Sequence, residues 1–230
     1  MIAAIVNAAV VILGAVIGLL LGGKIREELM GTLVAGLGIS VVVIGITSAV
    51  ETSNIIIVIV SIVLGTVLGE LLRIEDRLDG LGSWIKGRLG KHGGAHFTEG
   101  FVTASLLFCV GSMAIMGSFD AGLRGDYQTI FAKSALDGVM AVTFAATMGL
   151  GVAFSSLPVL VYQGALTLLA SLVAPYLSEP VVTEMSAVGG ILLIGTGINI
   201  LGLSPKRIKV GNMLPAMVLP VVWFGVVGHF

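Results

Sequence analysis

The opening of the chain limits its fold more than any other feature. Ile2–Gly22 reads IAAIVNAAVVILGAVIGLLLG, with Asn7 its only polar side chain. A run of about twenty apolar residues, rising about 1.5 Å each, is the length a helix needs to cross a bilayer. The pattern recurs over 3–22, 30–49, 54–72, 100–117, 132–154, 157–174, 185–203 and 211–228. None of these stretches alternates with a two-residue period, which rejects a β-barrel. In lipid a chain must satisfy its own backbone, and helices do so. The expectation is an all-α, polytopic membrane protein with about eight transmembrane helices. The first stretch has no basic n-region and exceeds the roughly seven to fifteen apolar residues of a signal peptide, so it is read as a retained span.

Composition agrees. The chain is 57% hydrophobic and 11% charged, against about 25% charged residues in soluble domains. With a mean hydropathy of +1.11 it cannot cover a water-exposed globule. A net charge of −1 argues against a nucleic-acid partner. The single cysteine, Cys109, rules out an intrachain disulfide and a CxxC metal site. His92, His96 and His229 all lie outside the apolar runs, so neither metal nor cofactor is expected. No Walker loop, GxSxG or HExxH motif is present, and the glycine-rich strings GLGIS, GSMAIMG and GTGIN fall inside spans. The chain is not expected to be an enzyme.

Glycine supplies 33 residues. Gly14, Gly18 and Gly22 share one helix face and form a small-xxx-small seam, and Gly65 and Gly69 repeat the device. Glu70 and Arg73, three apart, read as an interfacial pair. In the connection, Leu78, Leu81, Trp84, Ile85 and Leu89 fall on one face of an amphipathic helix lying on the membrane. Gly90, Gly93 and Gly94 then loosen the chain. With the N-terminus outside, the inner connections hold Lys24, Arg26, Arg73, Arg77, Lys86, Arg88, Lys91, Lys206, Arg207 and Lys209. The outer side holds only Arg124 and Lys133. That asymmetry places both termini in the periplasm of a bacterial host.

Thr98–Gly117 and Thr183–Gly202 align without a gap, with identity at Thr98/Thr183, Glu99/Glu184, Leu107/Leu192, Ile115/Ile200 and Gly117/Gly202. Polar residues recur at matching places in spans one to three and six to eight. The expected organisation is one membrane domain, 1–230. Within it lie a repeat unit 1–73, a cytoplasmic amphipathic connection 74–97, a central two-span unit 98–154 and a second repeat unit 155–230. Five spans separate the two starts, so the three-helix repeats would be inverted, as in secondary transporters and also in channels.

Polar groups inside spans are costly unless paired and are functional candidates, although an amide can equally fix one helix to another and a Lys–Asp pair can be an interfacial salt bridge. Asn7, Gln163, Asn199 and Asn212 are the intramembrane amides, able both to donate and to accept. Lys133, Ser134 and Asp137 open span five, with Lys133 and Asp137 four apart on one helix face and able to pair. Asp120 sits at an outer mouth. Ser112 lies among Gly111, Ala114 and Gly117, where span four can unwind and free backbone carbonyls. Pro158, Pro215 and Pro220 mark other places where carbonyls lose partners. Asn7, Ser112, Asp120, Lys133, Ser134, Asp137, Gln163, Asn199 and Asn212 form the candidate solute- or ion-binding set.

The strings FCVGSMAIMGSFDAGLRGD at Phe108–Asp126, KSALDG at Lys133–Gly138, LPVLVYQG at Leu157–Gly164 and VGNMLPA at Val210–Ala216 resemble the uncharacterised bacterial inner-membrane proteins of the YqgA/YdfK type, a domain-of-unknown-function family. The resemblance covers nearly the full length and implies a multi-pass protein of the bacterial plasma membrane. It supplies no substrate. From the residues themselves, the leading expectation is a small secondary transporter or ion-coupled permease for a small polar or charged solute. It would work by alternating access, in contact with membrane lipids and as a homo-oligomer. An ion channel is the second reading, and a non-transporting accessory or lipid-modifying protein the third.

Overall fold

A computed structural model describes residues 1–23, 26–89, 96–109 and 111–227. Lys24, Lys91, His92, His229 and the three loosening glycines lie outside the described residues. The regular elements among the described residues are all helices, with no strand. In order the helices are α1 (Ile2–Gly22), α2 (Glu27–Ala49), α3 (Ile55–Leu72), α4 (Ile74–Leu89), α5 (Phe97–Cys109) and α6 (Ser112–Leu123). Then come α7 (Gln128–Met148), α8 (Gly151–Phe154), α9 (Ser156–Leu168), α10 (Ala170–Val173), α11 (Glu179–Ile200) and α12 (Leu219–Val227). Short 3-10 helices cover Ala174–Tyr176 and Val210–Val218.

Among the described residues, six helices are long and apolar enough to cross a membrane, or seven when α5 and α6 count as one broken span. Four of the expected spans take a form set by local causes. The fourth expected span is broken, with Phe97–Cys109 and Met113–Leu123 meeting at 58°. Between them Gly111 takes a φ of +120°, open to glycine alone among common residues. The fifth span ends early, at Met148, because Gly149 at φ +80° leaves the helix. The sixth therefore starts at Gly151, with Pro158 held in the first turn of α9 where its missing N–H costs nothing. The eighth is a shorter apolar stretch, Val210–Val226, whose first half winds as a 3-10 helix around Pro215.

The chain folds into two compact units built from interleaved segments. The first unit takes Met1–Val34, Asp79–Cys109 and Met113–Leu172. Its axis is the α1–α7 contact. A Cβ on Gly14 would strike the Gly138 carbonyl, one on Gly18 the Val142 carbonyl, and one on Gly22 the Ala146 carbonyl. Both sides thus step by four residues, so the i±4 ridge of one helix lies against that of the other at backbone distance. The buried stripe of α1 runs Ala3, Ala4, Asn7, Ala8, Val11, Gly14, Ala15 and Gly18. Helix α9 packs on the same helix, while α5 meets α7, α8 and α9. Phe97 and Phe154 add an edge-to-face contact with centroids 5.4 Å apart.

The second unit takes Ala35–Leu78, Val110–Ser112 and Val173–Phe230. Helix α11 is its centre, and 78% of its membrane-length window is buried. That burial explains why the helix shows no amphipathic face. Gly45 of α2 abuts Gly190 of α11, and Gly65 and Gly69 of α3 abut Ala216 and Asn212. Outward, Ile56, Ile59, Val63, Val67 and Leu71 of α3 are exposed apolar side chains. In water such a surface would drive aggregation; against acyl chains it is matched.

The seam yields a test. Gly18→Ala should lose about 1–3 kcal/mol of stability through overpacking. Gly31→Ala, where nothing lies within 4 Å, should keep or gain up to about 1 kcal/mol. Thermal unfolding in detergent distinguishes them, and equal midpoints would contradict the packing.

Candidate functional site

Four of the expected site residues meet inside the first unit. Lys133 and Asp137 occupy successive turns of α7, and the Lys133 ammonium donates to Asp137 Oδ2. Both side chains are buried, at 6% and 5% exposure. From α1, Asn7 Nδ2 donates to the same Asp137 oxygen at 2.9 Å and to Gln163 Oε1 of α9 at 3.0 Å. Asn7 and Gln163 have no exposed surface at all. Three helices therefore contribute to one hydrogen-bonded group: an ion pair, and two amides joined to it in series.

The pairing is necessary. A lone ammonium or carboxylate in this setting would cost several kcal/mol, and each charge here offsets the other. Yet the group is not closed. Among the described residues Asn7 Oδ1 and Gln163 Nε2 have no hydrogen-bond partner. One is an acceptor and the other a donor, on two side chains that are themselves hydrogen-bonded, and a buried amide atom left unpaired costs about 1–3 kcal/mol. Cys109, the last residue of α5, lies within electrostatic reach of Lys133 and Asp137. The C-terminal end of α5 thus lies in the electrostatic neighbourhood of the ion pair. A helix that stops there leaves its last carbonyls without intrahelical partners.

The other expected residues are engaged elsewhere. Ser134 Oγ donates to the Ile130 carbonyl of its own helix at 2.7 Å. Asp120 pairs with Arg124 at 3.5 Å on a largely exposed edge, where such a bridge contributes little. Ser112 opens α6, and its side chain lies outside the described ones.

Asn199 and Asn212 belong to the second unit, and both are structural clamps there. Asn199 Nδ2 donates to the Ile208 carbonyl and its Oδ1 accepts from Ile208 N, each at 2.8 Å. Asn212 Oδ1 accepts from Glu75 N at 2.7 Å, and its Nδ2 donates to Glu70 Oε2. Glu70 also corrects the expected pair with Arg73. It bonds Lys209 at 3.0 Å, while Arg73 ends α3 in the left-handed region at φ 50°. The Glu70 carboxylate beside it holds the Lys209 ammonium above the ordinary lysine range. Glu75 accepts from Gly211 N at 2.6 Å and lies 3.6 Å from Arg207.

Sequence reasoning used Glu184 only as a marker of the repeat. It is in fact a buried carboxylate that accepts from Thr52 Oγ1 at 2.6 Å, Ser53 N at 2.8 Å and Asn54 N at 3.1 Å. It therefore sits at the N-terminus of α3, where free N–H groups and the helix dipole favour an anion. Thr-Ser-Asn ahead of an apolar run is a capping signal, but a partner about 130 residues away leaves no mark in one sequence.

A family model described as "Protein of unknown function (DUF554)" matches residues 2–225. The chain belongs to the DUF554 family. Two relatives agree. The "Uncharacterized membrane protein YdfK" of Bacillus subtilis (strain 168) is 32% identical over 230 residues, covering 98% of this chain and 96% of that protein. The "Uncharacterized protein YqgA" of Escherichia coli (strain K12) is 33% identical over 218 residues, covering 93% and 92%. No solved structure matches. With its apolar helices, this DUF554 chain is a membrane protein.

The ion pair of this DUF554 protein is open to a double-mutant cycle. Asp137→Ala strands the Lys133 ammonium and should cost about 3–5 kcal/mol. Lys133→Met combined with Asp137→Leu should regain most of it, because no charge is then left buried. Unfolding in detergent measures both. Additive losses would mean the two side chains do not depend on each other.

Proposed function

We propose that the protein is a small secondary transporter that binds its solute at the Asn7–Lys133–Asp137–Gln163 group. One observation carries the reading: a buried ion pair in membrane-length helices, adjoined by an unpaired amide oxygen and an unpaired amide nitrogen. Ionisable residues inside membrane-length helices are functional-site candidates by default. The end of α5 within electrostatic reach of the pair supports the same reading, since discontinuous helices form solute sites in carriers. The proposal includes the bacterial inner membrane, periplasmic termini, inverted repeats, a homo-oligomer and no catalytic role.

In proteoliposomes, a panel of small solutes should reveal saturable uptake driven by a sodium or proton gradient. Gln163→Leu and Asp137→Asn should each lower the initial rate by about tenfold or more while eluting as folded protein. Wild-type rates in both variants would refute the site. Uncoupled ion current would make the protein a channel, and silence across the panel would refute transport. Orientation has its own check. A cysteine replacing Arg88, which is exposed on α4 and lies off its apolar face, should react with an impermeant maleimide only after the cells are opened. Labelling of intact cells would reverse the topology.

A further inference from the structure

We infer that the site selects solutes of zero net charge that present a hydrogen-bond donor and an acceptor close together. The class comprises small zwitterions and neutral amides. This inference rests on the transport reading above and deepens it.

Charge balance is the first ground. Among the described residues, Lys133 and Asp137 are the buried charged side chains of the first unit. They sum to zero, and each is already committed to the other. A net anion would therefore have to draw Lys133 away from Asp137, and a net cation the reverse. Either exchange leaves one buried charge uncompensated, a loss larger than the hydrogen bonds gained. A ligand whose own charges cancel asks for no such exchange.

Donor and acceptor geometry is the second ground. Asn7 Nδ2 spends both of its hydrogens, one on Asp137 and one on Gln163. What remains of the linked amides is one acceptor, Asn7 Oδ1, and one donor, Gln163 Nε2. Both belong to side chains with no exposed surface, so bulk water does not complete them. An ammonium or N–H group answers the oxygen, and a carboxylate or carbonyl oxygen answers the nitrogen. An amino acid backbone carries both within a few bonds, as does a primary amide. The amides of the second unit lack this property, because Asn199 and Asn212 use both side-chain ends on protein partners.

The test uses four probes of similar size that differ in charge: glycine, acetamide, acetate and methylammonium. Binding to the full chain in nanodiscs is followed by equilibrium dialysis, beside uptake into proteoliposomes. Glycine or acetamide should bind saturably, and Gln163→Leu and Asn7→Leu should each weaken that binding by about tenfold. Acetate and methylammonium should not bind. Saturable binding of acetate or methylammonium with glycine and acetamide silent would overturn the inference. So would silence of all four on folded protein, which would leave a bridging water as the partner of the two amide atoms. Saturable uptake of a charged solute, lost in Gln163→Leu, would remove this inference and keep the transport reading. Binding of glycine without uptake of any solute would do the opposite.

Discussion

The approach of α1 to α7 at backbone distance is the contact on which the polar centre depends. Gly14, Gly18 and Gly22 have no side chain to hold the helices apart, and the facing surface, Gly138, Val142 and Ala146, steps in the same register. Asn7 lies on the same buried stripe two turns above Gly14, and Asp137 is the residue before Gly138. Bringing the helices together at the glycines therefore brings the amide to the carboxylate. Association in lipid has little hydrophobic driving force, so packing of this kind and hydrogen bonds between helices must supply it. Here the two act at adjacent points of one interface.

The two units treat their polar residues differently. In the second, Glu184, Glu70, Glu75, Asn199 and Asn212 each find partners that cap a helix or hold a turn. Its unpaired buried groups among the described residues are two serine hydroxyls, Ser178 and Ser186. In the first, the ion pair is matched but the amides next to it are not. A polar network that is satisfied rigidifies, and one that is partly satisfied is energetically exposed. The incomplete network sits in the unit that holds α5 and α6, and α5 ends within electrostatic reach of the ion pair.

What could be read from the sequence was what is local. Span positions follow from runs of apolar residues, the glycine seam from a spacing of four, and the Lys133–Asp137 pair from one helical turn. The break near Gly111 was visible as a cluster of small residues. Which amides were clamps was not visible. Asn199 and Asn212 look like Asn7 in sequence, and only their neighbours distinguish them. Glu70 was assigned to the cation three residues away because distance along the chain was the only measure at hand, whereas Lys209 reaches it across 139 positions. The same limit hid the cap that Glu184 places on α3. The interleaving of segments into two units was equally out of reach, since each apolar span offers several partners of the same kind.

The 3-10 winding at Val210–Val218 bears on reach. A 3-10 helix rises about 2.0 Å per residue and an α-helix about 1.5 Å. Nine residues of the first kind followed by the nine of α12 extend about 31 Å, whereas the same stretch wound wholly as α-helix would stop near 27 Å. The hydrocarbon layer is about 30 Å thick. The 3-10 winding, with Pro215 inside it, thus makes the last apolar stretch longer without adding a residue.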